Sequence, residues 1–206
     1  MFGIRKLRLK MEQNNTRDFN KDLEESNNIK SEWKRIFHKI FGGDIQIKFQ
    51  DNKIAQLEFG TDTTIQQKSG RRFSVEYKTK RYELMPYNMW VLEVKHHIYS
   101  DKEKTKLIKS KEGWLYCSTA EYVIYGTLNE NRNKIIEVCG FSLTPFKNEE
   151  FKSNISKLKT GFASTYYPNT RTYQTTVFKL ANTEFLREHG DKFWYFKDGG
   201  NLNDYF

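Results

Sequence analysis

Two cysteines, Cys117 and Cys139, are all that the 206 residues carry. Neither stands in a CxxC spacing, so neither a disulfide framework nor a structural zinc site is expected, and reduced core thiols are the default reading. Apolar residues are also scarce, at 37% of the chain with a mean hydropathy of −0.82. No apolar run approaches the roughly 20 residues that a membrane-spanning helix needs. The stretch Met1 to Lys10 lacks the continuous apolar core of a secretory leader. The expectation is a soluble, cytoplasmic protein with no membrane partner. Glycine-rich phosphate loops of the P-loop or dinucleotide type are missing, and no nucleophile stands at a triad spacing.

What the chain does have is aromatic residues and positive charge. Its 16 Phe, 12 Tyr and 4 Trp, 16% of the total, can supply a core that the overall hydropathy would otherwise deny. Thirty-five Lys and Arg against 26 Asp and Glu leave a net charge of +9. That balance favours a polyanionic partner, because lysines and arginines that neutralise phosphates release counterions. The length suits one domain and would cramp two.

Along the chain, residues 1–28 form a basic and polar N-terminal segment. Ile29, Trp33, Ile36, Phe37 and Ile40 then recur at spacings of three and four, which predicts an amphipathic helix ended by Gly42-Gly43. From Asp44 the period becomes two. Strands are predicted at 44–50 and 53–59, joined by the turn residues Asp51-Asn52, and again at 72–80, 89–95, 122–128 and 134–141. The lysine-rich interval Asp101 to Lys111 reads as an exposed loop or basic flap. Residues 145–170 are weakly patterned, followed by a strand at 172–180 and a short helix at 183–189.

Chemistry concentrates near the third strand. Glu76 and Lys78, two apart, project from one face of it, and Asp62 stands in the connection at 60–71 that would bring it beside Glu76. Paired carboxylates repel unless a cation lies between them, and hard oxygen ligands suit Mg²⁺. On spacing alone, a solvated hairpin of alternating charge competes with this reading. Arg71, Arg72, Lys80 and Arg81 flank the pair and form a candidate nucleic-acid-binding face, with a plain solvated basic face as the alternative. His96 and His97, being adjacent, cannot both face one side of a strand, and they read as surface or DNA-facing residues.

Asp62 followed after thirteen residues by Glu76-Tyr77-Lys78 resembles the core of the PD-(D/E)xK nuclease superfamily, with Thr61 in place of the proline. Asn88 to Glu93, Glu112-Gly113-Trp114-Leu115 and Ser118 to Tyr125 extend the resemblance toward phage-type and mobile-element members, over roughly residues 44–128. The resemblance implies an α+β, restriction-endonuclease-like fold: a mixed, twisted β-sheet of the strands at 44–50, 53–59, 72–80, 89–95 and 122–128, a flanking N-terminal helix and a C-terminal β/α elaboration. Residues 29–206 would make a single nuclease-like domain. It also implies an Mg²⁺-dependent deoxyribonuclease, with Mn²⁺ as a substitute. Asp62, Glu76 and the backbone carbonyl of Tyr77 would be metal ligands, and Lys78 the residue that orients the attacking water. Glu93 and Glu32 are further ligand candidates, and Glu121 reads as orienting its own segment. The rival expectation is a catalytically idle nucleic-acid-binding protein on the same scaffold, or a basic β-rich interaction module.

Overall fold

The computed structural model describes residues 29–50, 62–80 and 89–197. Helix α1 (Lys30–Phe41) forms where the three-and-four spacing predicts it, burying Trp33, Ile36 and Phe37. Gly42 follows it with φ 100°, a left-handed backbone conformation in which a β-carbon would be strained.

A mixed six-stranded sheet carries the helix. Its strands are β1 (Ile45–Phe49), β2 (Thr63–Gln67), β3 (Arg72–Lys80), β6 (Tyr122–Leu128), β7 (Ile135–Ser142) and β10 (Phe193–Lys197), in the order β1-β2-β3-β6-β7-β10. Only β3 and β6 are parallel. Every residue of β6 is buried, as a strand covered on both faces requires. On one side, α1 packs against Phe73, Val75, Ile124, Val138 and Phe196. A β-carbon on Gly126 would lie 2.8 Å from the Trp33 indole, so the ring rests directly on the strand. Burying an indole of about 200 Å² contributes roughly 5 kcal/mol, which fixes where α1 sits.

A second, four-stranded antiparallel sheet contains β4 (Met89–Tyr99), β5 (Leu107–Glu112), β8 (Lys159–Tyr167) and β9 (Thr172–Asn182), in the order β5-β4-β9-β8. Short helices α2 (Trp114–Cys117), α3 (Glu149–Lys157) and α4 (Thr183–His189), with a 3-10 turn at Pro145–Lys147, close the remaining flanks. Trp90, Leu92 and Ala181 from this sheet join Trp114, Tyr125, Cys139 and Phe141 in the core on the side of the main sheet away from α1. The Tyr125 hydroxyl donates to the Val91 carbonyl and ties β6 to β4.

The α+β class and the mixed sheet with its N-terminal helix are therefore present, with four differences in detail. The strand at 89–95 belongs to the second sheet, because its edge pairs with β9 and β5. The connection at 60–71 contains β2, which pairs β1 along its whole length. Half of the expected basic loop is the fully exposed strand β5. The weakly patterned 145–170 holds α3 and β8. Cys139 is a core thiol as expected, whereas Cys117 is exposed. The strand expected at 53–59 lies outside the described residues. No helix among the described residues is long and apolar enough to cross a membrane.

Candidate functional site

Strand alternation sends Phe73, Val75 and Tyr77 toward α1 and Glu76, Lys78 and Lys80 toward β4. Asp62 immediately precedes β2, and the register that sets Thr63 opposite Val75 puts it across from Glu76. Three backbone contacts hold it. Its N–H donates to the Val75 carbonyl at 3.3 Å, its carbonyl accepts from Gln50 at 2.8 Å, and its carboxylate Oδ2 accepts the Tyr77 N–H at 3.1 Å. The Tyr77 carbonyl leaves the strand on the same side as that N–H.

The Lys78 ammonium contacts Glu76 Oε1 directly and lies 5.7 Å from the centre of the Trp114 ring. Burial disfavours its charge, yet Glu76, Asp62 and Glu93 together raise its pKa above the ordinary lysine value. Glu76 is only 6% exposed. Desolvation pushes its carboxyl above the usual range, with Asp62 and Glu93 adding to the rise and Lys78 opposing it. Asp62 is likewise raised by burial, against the pull of Lys78 and of the Tyr77 N–H. Three acids thus act on one ammonium at the junction of the two sheets.

Glu93 reaches this junction from β4. Its Oε2 lies 3.7 Å from His96 Nε2, and His96 Nδ1 is within 3.0 Å of both Thr176 Oγ1 and Gln174 Nε2. Burial lowers the His96 pKa. In a regular strand residues 93 and 96 face opposite ways. Here a register shift between Glu93 and Lys95 adds a residue to β4 and turns both to one side. Gly113 secures the bulge: its N–H donates to Val94, and a β-carbon on it would come within 2.2 Å of the Glu93 carbonyl oxygen.

Several expected site residues lie elsewhere. Glu32 is on α1, where its carboxylate pairs with Arg35 at 2.9 Å and accepts the Ile135 N–H at 3.1 Å. It therefore fastens the helix to the start of β7, on the opposite side of the main sheet from Glu76. Lys80 shares the face of Glu76, but its ammonium is buried 4.7 Å from the Trp90 ring centre with no hydrogen-bond acceptor among the described residues, so it is not presented to a phosphate backbone. Arg71 and Arg72 are exposed: Arg71 lies 3.6 Å from Glu121, and Arg72 donates to Gln66 at 2.9 Å. Arg81 lies outside the described residues. An open recess of about 530 Å³ lined by Phe41, Asp44, Gln67 and Lys68 is at the far end of β2 from Asp62.

Among the described residues, no group of three or more His, Cys, Asp or Glu side chains is arranged to hold a metal ion. Asp62 and Glu76 supply two carboxylates beside one backbone carbonyl. That donor set fits Mg²⁺, which commonly takes one or two carboxylates and fills its shell with water and substrate phosphate oxygens. Comparison with family models, with curated proteins and with solved structures returns no match for this chain.

Proposed function

We propose that this protein is a metal-dependent nuclease that hydrolyses phosphodiester bonds of DNA, built on a PD-(D/E)xK, restriction-endonuclease-like core. The observation that carries this reading is the meeting of Asp62, Glu76 and Glu93 around Lys78 at one sheet junction. A structural ion pair needs one acid. A surplus of carboxylate charge around the Lys78 ammonium is what a cation-binding hydrolytic site requires.

In this reading Asp62, Glu76 and the Tyr77 carbonyl hold Mg²⁺, or Mn²⁺ in its place, and the ion supplies Lewis acidity and a more acidic water. Lys78, kept protonated by its neighbours, orients the attacking water and offsets the charge that builds on the phosphoryl oxygens. Glu93, steadied by His96, keeps the ammonium between the carboxylates. Arg71 and Arg72 lie at the exposed end of β3, where phosphate contacts would add affinity without sequence preference. The direct Lys78–Glu76 contact favours a second reading, in which the pair neutralises itself and the protein binds nucleic acid without cutting it.

The test is incubation of purified protein with circular single-stranded, supercoiled and branched DNA, with Mg²⁺ and with chelator. Divalent-dependent loss of a substrate, abolished by Asp62→Ala and by Glu76→Ala with DNA binding in Ca²⁺ retained, supports the nuclease. No cleavage of any substrate in Mg²⁺ or Mn²⁺ favours the binding-only protein.

A further inference from the structure

The outer part of the second sheet carries a feature that hydrolysis at Asp62 and Glu76 does not require. Tyr99 on β4 is directly opposite Leu107 on β5 and Tyr173 on β9, and Tyr173 is directly opposite Tyr166 on β8. One face therefore presents an unbroken row, Leu107-Tyr99-Tyr173-Tyr166, across all four strands. The Tyr166 and Tyr173 rings are 4.7 Å apart between centres. The next row holds Ser110, His97, Thr175 and Ser164, and the one after it ends in Phe162. Phe162 is 63% exposed and Leu107 53%. A row of rings across an antiparallel sheet is more apolar than a solvated face needs to be.

The surroundings supply the charge. The β4–β5 loop carries Lys102, Lys104 and Lys106, and the β8–β9 turn carries Arg171, both at the end of the sheet where the tyrosine row lies. The loop is organised: the Asp101 carboxylate accepts from the backbone N–H groups of Thr105 and Lys106 at 2.8 and 2.7 Å. Lys104 adopts φ 59° and donates to Ser164 Oγ on the far strand at 2.6 Å, which carries its ammonium across the ring-bearing face. Rings that accept unpaired bases, beside fixed ammonium groups that accept phosphates, are the two components of single-strand binding.

We propose that this face binds single-stranded DNA, with unpaired bases stacking on Phe162 and the tyrosine row and phosphates meeting Lys104 and its neighbouring lysines. The proposal deepens the nuclease reading by giving its substrate an unpaired segment. Tyr99 lies six residues along β4 from Glu93, so the tyrosine row is about 20 Å along the strand from that carboxylate, with Phe162 nearer, in the row of Lys95. Duplex DNA, with its bases already stacked, cannot use the rings.

The experiment is fluorescence anisotropy on the full chain in chelator, with labelled oligo(dT), a duplex of equal length and oligo(U). Oligo(dT) should bind tightest. Phe162→Ala, at an exposed position, and Tyr166→Leu, which keeps apolar cover without the ring, should each weaken oligo(dT) binding by roughly 5- to 150-fold and leave duplex binding unchanged. Lys104→Ala should lower the slope of log affinity against log salt by about 1. Both ring variants should match wild type in circular dichroism and melting. A preference for duplex or for oligo(U), or wild-type affinity in both folded ring variants, overturns the proposal. Because chelator excludes cleavage, loss of the nuclease reading would leave this result intact, and loss of the platform would leave divalent-dependent cleavage intact.

Discussion

Replacing Lys78 by Met keeps most of the stem and removes the ammonium on which Asp62, Glu76 and Glu93 act. Two unit charges 4 Å apart interact by about 4 kcal/mol at an effective dielectric near 20. Deleting one partner of a fully buried pair costs about 3–5 kcal/mol. The Lys78 side chain is 33% exposed, so solvent screening brings the expected loss down to about 2–3 kcal/mol. Its pH dependence follows from the acids. Both carboxyls already sit above their ordinary values of 3.8 and 4.5. A raised folded pKa means the folded state holds its proton longer, so stability present below the unfolded pKa is lost as pH climbs through the folded one. Without Lys78 the folded pKa values rise further, and that loss extends to higher pH. Urea unfolding in chelator should therefore give a difference between wild type and Lys78→Met that is small near about pH 4 and reaches about 2–3 kcal/mol by about pH 7. Millimolar Mg²⁺ should then raise the variant's melting temperature more than the wild type's, since no ammonium competes for the carboxylates. Single-turnover cleavage should fall by about 10² to 10⁴. A pH-independent difference would assign Lys78 to packing alone, and a wild-type rate would remove it from the chemistry.

Glu32→Ala should leave the cleavage rate per folded molecule unchanged and lower stability by about 1–3 kcal/mol in urea unfolding, because the Ile135 N–H loses its acceptor. A rate loss beyond tenfold would return Glu32 to the site. Gly113→Ala should slow cleavage and raise the half-saturating Mg²⁺ concentration, since its β-carbon displaces the β4 bulge at Glu93; unchanged metal dependence would mean that Glu93 is idle. Lys80→Met should leave DNA affinity unchanged and be neutral or stabilising by about 1–2 kcal/mol, as a buried ammonium with no acceptor among the described residues gives way to an apolar side chain over Trp90. A drop in DNA affinity would show that the ammonium does reach phosphate.

Local chemistry makes part of this architecture legible in the amino-acid sequence alone. Helix α1 is readable because Ile29, Trp33, Ile36 and Phe37 repeat at the helical period and all four are buried. Strand β6 is readable because a run of seven in which Thr127 is the one aliphatic hydroxyl has little choice but to be covered on both faces. The facing of Glu76 and Lys78 follows from the two-residue period alone. Strand β2 is not legible: Thr63-Thr64-Ile65-Gln66-Gln67 has one large apolar side chain, and its pairing is specified by its neighbours β1 and β3. Strand β5 escapes notice for a related reason, since its six residues are all exposed and the strand exists only by hydrogen bonding to β4.

The position of Glu93 has a cause that strand alternation does not carry. Sequence alternation counts two residues per repeat without a slip, so it assigns Glu93 the face of Lys95 and denies it His96. The shift at Glu93/Lys95 reverses that parity partway along β4. It keeps Lys95, His97 and Tyr99 on the side of Trp90 and Leu92, since their partners Val177, Thr175 and Tyr173 share a face of β9 with Lys179 and Ala181, and it leaves Glu93 with His96 on the other side. A single strand can therefore serve both the carboxylate junction and the outer platform. The residue that permits this is Gly113, since any side chain there would collide with the backbone at the bulge. Its place just before Trp114 also fixes the ring near the Lys78 ammonium. A glycine that reads in the sequence as a turn residue is thus a joint between the two sheets, and its replacement should disturb metal response and single-strand binding together.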